Sequence, residues 1–570
     1  MTPARERALR VGLRVLALGL GVMAAFAGRN AINADGISYL DIGDAYVRGD
    51  WRGALSAYWS PLYSWLLGGT LAALGPSAYW EFPVVHLVNV VLFATALVCF
   101  EVFLRALRDW RDAVGGPGAG RGPADWTWRL WGYAVFLPAS LWMVTLRLVT
   151  PDLLVLGAVL LTAALLARVC AGRASSATFV GLGLVLGVGY LAKLAMLPIA
   201  VVTFALLAVM SLRRTGVARG AAIALAGFAV VALPWIVVLS AGMGRLSVGE
   251  SAGLNYGWIV NRHEGQRIET GLTAFGTHEG LAHPPVQLLA VPAVYDFDGG
   301  VPGTVPLWRD PGYWHEGAAP HFNPSRQARA VLANLQRLGR LAIGWAPCLL
   351  GLAVLAVAGR RQVRAWRWPL FALALASAPL GMYVAIHIEY RYIGAFIVLL
   401  LTAAFAAMRA PDTPAARRLT TAVVIAVFVA QVTPVAATIA YDTAHEVKGL
   451  VRADPLIHRH WHIARGLQEL GLRPGDRVAV AGDFFTAGWA RLARLRVTAA
   501  VEPAGASART AGAGARLDGA LAGAGVRAIV AEGGPLDDGD WTRLGDGHTW
   551  ARLVSGPAPR APQAPQARVR

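Results

Sequence analysis

Long apolar runs dominate this chain, and each approaches the roughly 20 residues that carry an α-helix across a bilayer. They lie near residues 11–28, 82–104, 129–146, 152–168, 177–192, 194–211, 221–241, 338–358, 368–386, 393–408 and 419–440. These eleven runs predict a mainly α-helical, polytopic transmembrane bundle. Composition excludes an ordinary soluble enzyme, because 15% of the 570 residues are charged against about 25% in soluble chains.

The charge pattern orients the bundle. Arginines cluster between apolar runs, as in Arg5/Arg7/Arg10/Arg14, Arg213/Arg214/Arg219 and Arg360/Arg361/Arg364/Arg367, which is the cytoplasmic-loop bias of membrane proteins. An inside N-terminus puts the basic segments 105–128, 168–176, 212–220, 359–367 and 409–418 on the cytoplasmic side and predicts an outside C-terminus. The formal charge of +18 is then a topology signal, and no basic patch with interleaved aromatics remains to suggest nucleic acid. Gly28-Arg29-Asn30 is a poor cleavage site, so the first run reads as a retained helix. Cys99, Cys170 and Cys348 sit within apolar runs, far apart, and read as packing residues.

This topology places 29–81, 242–337 and 441–570 on the outer face. Five units follow: an N-terminal membrane module, 1–240, with a catalytic first outer loop at 29–81; an outer loop domain or lid at 241–337; C-terminal spans over 338–440; a small outer α/β domain at 441–556; and a disordered tail at 557–570. Ser60-Pro61-Leu62-Tyr63 opens a stretch too short to span and rich in aromatics, an interfacial helix. In the α/β domain, Arg477–Gly482 and Val526–Ala531 read as buried strands.

Ionisable groups at the outer ends of spans are costly to place and so carry the functional signal. Asp35 lies just beyond the first run, followed by Tyr39. Asp41, Asp44 and Asp50 read as a solvated loop. Thr150-Pro151-Asp152 reads as a helix start with Thr150 as N-cap, and its carboxylate is placed to orient a second group. Lys193 is one of two lysines in an arginine-biased chain. Glu389-Tyr390-Arg391-Tyr392 forms a charged hairpin on the same face. Topology thereby gathers Asp35, Arg147, Asp152, Lys193, Glu389 and Arg391 at one membrane surface. His458 and His462 have i, i+4 spacing without an evident third ligand, so no metal site is assigned.

Asp35 with Tyr39, Ser60-Pro61-Leu62-Tyr63, Pro151-Asp152-Leu153-Leu154, Tyr190-Leu191-Ala192-Lys193 and Glu389-Tyr390-Arg391-Tyr392 resemble motifs of the GT-C superfamily of integral membrane glycosyltransferases. The resemblance is to the polyprenyl-phosphate-sugar-dependent group that includes protein O-mannosyltransferases and lipid A aminoarabinose transferases, and it spans about residues 10–440. It implies a polyprenyl-phosphate sugar donor among the membrane lipids, an acceptor that is protein, glycan or lipid, and a bacterial inner membrane with a periplasmic active site. Carried over residue by residue, it implies that Asp35 is the catalytic base of an inverting transfer, with Asp152 or Glu389 positioning it or its neighbouring cations. Lys193, Arg391 and Arg147 would neutralise the departing phosphate beside Tyr39. Many members carry an acidic pair at this point, whereas Gly36 and Ile37 follow Asp35 here, so a bridging divalent metal is not indicated. A lipid transporter or flippase, or a membrane scaffold without catalysis, remain the rival readings.

Overall fold

The computed structural model describes residues 2–114, 123–261, 282–316, 320–360, 368–408, 413–502 and 513–555. The tail expected at 557–570 lies outside the described residues.

From the N-terminus the helices are α1 (Pro3–Ala27), α2 (Ala34–Val47), α3 (Trp51–Ala54), α4 (Pro61–Leu74), α5 (Glu81–Val114) and α6 (Asp125–Pro138), which runs into a π-helical turn, Ala139–Val144. There follow α7 (Asp152–Cys170), α8 (Ser176–Ala192), α9 (Met196–Ser211), α10 (Val217–Met243) and α11 (Ser251–Ile259). After two short strands, β1 (Val286–Leu289) and β2 (Val294–Asp296), come α12 (Pro306–Arg309), α13 (Pro311–Trp314), α14 (Pro324–Gly344), α15 (Ala346–Ala358), α16 (Leu370–Ala385), α17 (Tyr390–Ala407) and α18 (Pro414–Val451). Each of the eleven apolar runs falls on one or more of these helices. Six described helices are individually long and apolar enough to cross a membrane, and α14 with α15 make a seventh only as a pair bent by 74°. The run 338–358 is therefore broken: α14 ends at Gly344 and α15 restarts with Pro347 in its first turn, where a missing N–H costs nothing.

The C-terminal segment adds α19 (Arg459–Glu469), β3 (Arg477–Ala481), α20 (Gly488–Leu492), β4 (Arg496–Val501), α21 (Ala513–Gly523), β5 (Val526–Glu532), β6 (Thr542–Arg543) and β7 (Thr549–Leu553). The strands expected at 477–482 and 526–531 fall on β3 and β5. These two pair in parallel, with β4 on the other side of β3, and the full order is β1-β2-β4-β3-β5-β7-β6. β2 pairs antiparallel with β4, Val294 opposite Val501. The loop 241–337 and the segment 441–556, read separately in sequence, thus share one seven-stranded sheet.

Close backbone contact fixes the segment between α1 and α5. A Cβ on Gly43 of α2 would stand 2.8 Å from the Ser64 carbonyl oxygen, and one on Gly68 of α4 would stand 2.8 Å from the Gly43 Cα. Only a glycine at each crossing point lets the two helices pack this tightly. The short helix expected at 61–74 therefore buries Tyr63 and Leu67 under α2 and holds that helix, with Asp35 in its first turn, against the bundle.

A carboxylate pair at the mouth of the bundle

Asp35 sits in the first turn of α2, where the exposed N–H dipoles favour an anion. Its Oδ2 pairs with Nη1 of Arg391 at 2.9 Å, and its Oδ1 accepts a hydrogen bond from Nε1 of Trp308 at 3.1 Å. Arg391, in the first turn of α17, is shared: the same Nη1 lies 3.8 Å from Oδ2 of Asp152. Asp152 is only 3% exposed, and its Oδ1 takes a hydrogen bond from Nζ of Lys193 at 2.6 Å. Lys193 also stands 4.1 Å above the ring of Tyr392, a cation–π placement. Two carboxylates and two cations therefore form one connected cluster, joined through a single guanidinium.

Asp35, Lys193 and Arg391 line a cavity of about 320 Å³ with Tyr39, Tyr58, Asn255, Tyr383 and His387, and Asp152 lies buried behind the two cations. Burial raises the phenol of Tyr39 well above its ordinary value, and the nearby carboxylates push the same way, so Tyr39 acts there as a neutral hydroxyl. Its ring meets Trp59 and Tyr63 edge-on. Glu389 stands behind Arg391 at 3.9 Å, and its hydrogen bond with His387, 3.2 Å, keeps its carboxyl below the usual range.

Of the residues singled out in sequence, the fold brings Asp35, Tyr39, Asp152, Lys193, Glu389 and Arg391 together. Arg147 is not among them. Its side chain turns toward α18 and pairs with Asp442 at 3.4 Å, and it does not line the cavity. Thr150 does not serve as the expected N-cap either, because Pro151 occupies that position without a side-chain bond.

Asp41 and Asp44 are a further correction, since they lie on α2 rather than in a loop, Asp41 buried and Asp44 half-buried, and both are ion-paired. Arg491 of α20 is 2% exposed and puts Nη1 2.9 Å from Asp41 and 2.7 Å from Asp44, with Nε 2.7 Å from Glu81. Asp41 also accepts from the N–H of Thr304 at 2.7 Å and its hydroxyl at 3.0 Å. These carboxylates hold the Arg491 guanidinium firmly protonated. Asp50 does stay exposed, capping α3 through the N–H of Gly53.

Sequence reasoning missed Trp308, and it named Tyr392 in the charged hairpin without giving it a role. Trp308 was visible only as one aromatic among many in a proline-rich loop. Two further bonds fix its segment, from the Ser38 hydroxyl to the Trp308 carbonyl at 3.0 Å and from Trp59 Nε1 to the Arg309 carbonyl at 3.2 Å. His458 bonds the Tyr79 hydroxyl at 2.8 Å, and among the described residues no group of three or more His, Cys, Asp or Glu is arranged to hold a metal.

No family model and no curated protein matches the chain. Solved structures do. ArnT from Cupriavidus metallidurans bound to undecaprenyl phosphate superimposes with a TM-score of 0.53 over 97% of this chain and 99% of that one, at 15% identity. The chain has the ArnT fold. ArnT from the same organism in the apo state gives a TM-score of 0.50 over 96% and 99%, at 16% identity. The ArnT likeness thus extends over the apolar helices and the seven-stranded sheet alike.

Proposed function

We propose that the protein is an integral membrane glycosyltransferase that moves a sugar from a polyprenyl-phosphate donor to an acceptor hydroxyl at the outer, periplasmic face of a bacterial inner membrane. The observation that carries this reading is the charged cluster around Arg391, set in a cavity of about 320 Å³, in a chain with the fold of a protein crystallised with undecaprenyl phosphate. Eleven crossings with the N-terminus inside remain part of the proposal.

In this reading Asp35 takes the proton of the acceptor hydroxyl as its oxygen attacks the anomeric carbon, and the bond from that carbon to the phosphate oxygen breaks with inversion. The phosphate leaves with the bond's electrons, and Lys193 and Arg391 meet the charge that develops on it. Asp152 positions both cations and Glu389 backs Arg391. The loop carrying Trp308 covers Asp35 and acts as the lid that excludes water.

The test is transfer from a panel of radiolabelled polyprenyl-phosphate sugars in membranes holding wild type or Asp35→Asn, with products separated into lipid, protein and glycan. Label that depends on Asp35 is the expected result and names both substrates. Equal label with the variant, or none where a control transferase works, would sink the transferase reading in favour of lipid transport or a scaffold.

A further inference from the structure

Helix α14 has three distinct sides. At 100° per residue, Ala328, Leu332, Leu335, Ala342 and Ile343 fall within an arc of roughly 100°, and Leu332, Leu335 and Ile343 are exposed. Arg329, Arg337 and Arg340 occupy the adjoining arc. The third side, with Asn334 and Leu341, is buried, and Nδ2 of Asn334 bonds the Val384 carbonyl at the end of α16 at 3.0 Å. The helix carries Arg326, Arg329, Arg337 and Arg340 and no acidic residue.

An exposed apolar stripe beside a row of arginines suits a helix lying in the headgroup layer, its apolar side toward the acyl chains. The 74° bend to α15 has the same meaning, because an α15 of 13 apolar-rich residues that dips into the bilayer leaves α14 close to the membrane plane. The arginine row also leads inward. Arg340 is exposed and stands one turn from Arg337, whose Nη1 donates to Nδ1 of His387 at 2.8 Å. That bond leaves the ring proton on Nε2, facing Glu389 at 3.2 Å, and His387 itself lines the cavity. The arginine row on the exposed side of α14 therefore reaches the cavity wall at His387, and the Glu389 carboxylate behind that ring links it to Arg391.

We propose that α14 is the entry strip of the donor: the phosphate of a polyprenyl-phosphate lipid lands from the outer leaflet on Arg340 and Arg337 and passes His387 into the cavity. This rests on the donor class proposed above. An arginine near a membrane surface contributes enough attraction to an anionic lipid to change its capture about fivefold, and a landing site acts on arrival rather than on the bound state.

The test uses the full chain in nanodiscs of phosphatidylcholine, with undecaprenyl phosphate delivered from vesicles and its arrival followed by tryptophan fluorescence. Arg340→Gln is expected to slow association about fivefold while leaving the dissociation rate and the turnover at saturating donor unchanged, and Arg340→Lys to restore most of the rate. Unaltered association in both Arg340→Gln and Arg337→Gln overturns the entry strip alone. A wild type that does not bind undecaprenyl phosphate at equilibrium overturns the donor class as well, and a faster dissociation from Arg340→Gln overturns the assignment by making it part of the bound site.

Discussion

Replacing Arg491 by Met tests how the seven-stranded sheet is held to the helical bundle. The substitution keeps an unbranched side chain of similar length but removes the cation that meets Asp41, Asp44 and Glu81 at 2.7 to 2.9 Å. Breaking a buried ion pair by deleting one partner costs about 3–5 kcal/mol, because the other charge stays behind unpaired. Here the lower end applies. Arg494 still reaches Asp44 at 3.2 Å and Glu81 at 2.7 Å, and Asp41 keeps both bonds from Thr304. A loss of about 3 kcal/mol raises the opening constant of the contact between α2 and α20 roughly a hundredfold. Hydrogen exchange reads it directly: β3 and β4 amides that exchange through this opening should speed up by about two orders of magnitude, while those of α7 stay as they are. A second substitution, Glu81→Gln, removes one of the stranded carboxylates and should recover part of the loss. Exchange in β3 and β4 within threefold of wild type would falsify the view that Arg491 fastens the sheet.

Other expectations concern the cavity and its surroundings. Trp308→Phe deletes the indole donor to Asp35 and should lower kcat about tenfold with KM nearly constant, since a hydrogen bond to a charged group is worth about 1.5–3 kcal/mol; an unchanged kcat removes Trp308 from the site. Lys193→Met should weaken donor binding by about one to two orders of magnitude, and Lys193→Arg should not rescue it, because the slot between Asp152 and the Tyr392 ring fits a compact ammonium. Stability should fall with acid through His460, whose burial lowers it to about 4: the unfolded chain takes up its proton near pH 6.5, so at most about 3 kcal/mol is lost between pH 6.5 and 4. Denaturation midpoints across that window, compared with His460→Phe, check it; an equal acid dependence in the variant refutes it. Gly303→Ala should destabilise the loop, since Gly303 has φ +112° and a Cβ there would stand 2.9 Å from Asp41 Oδ2; wild-type thermal stability would count against that strain.

The sequence made the helices readable because apolar length is itself the physical signal of a span, and charges at span ends are costly enough to stand out. Asp35, Asp152, Lys193 and Arg391 were found for that reason. What pairs with what was not readable. Arg147 has the same local credentials as Arg391, yet its partner is Asp442, 295 residues away, and no local pattern encodes a contact at that separation. Asp41 and Asp44 looked solvated because Arg491, which pairs with both, and Thr304, which bonds Asp41, come from other segments. The bend after Gly344 was invisible because residues on both sides of it are apolar.

The pairing of β2 with β4 also has a meaning in time. Asp296 lies opposite Ala499, so the ribosome adds about 200 residues between the two partners, which takes roughly 10–40 s at ordinary elongation rates. During that interval α14 to α18 are made, while the loop that carries Trp308 has no sheet to join. The roof over Asp35 therefore closes only after the last long helix has been made, and a chain stalled partway through synthesis leaves its carboxylate uncovered.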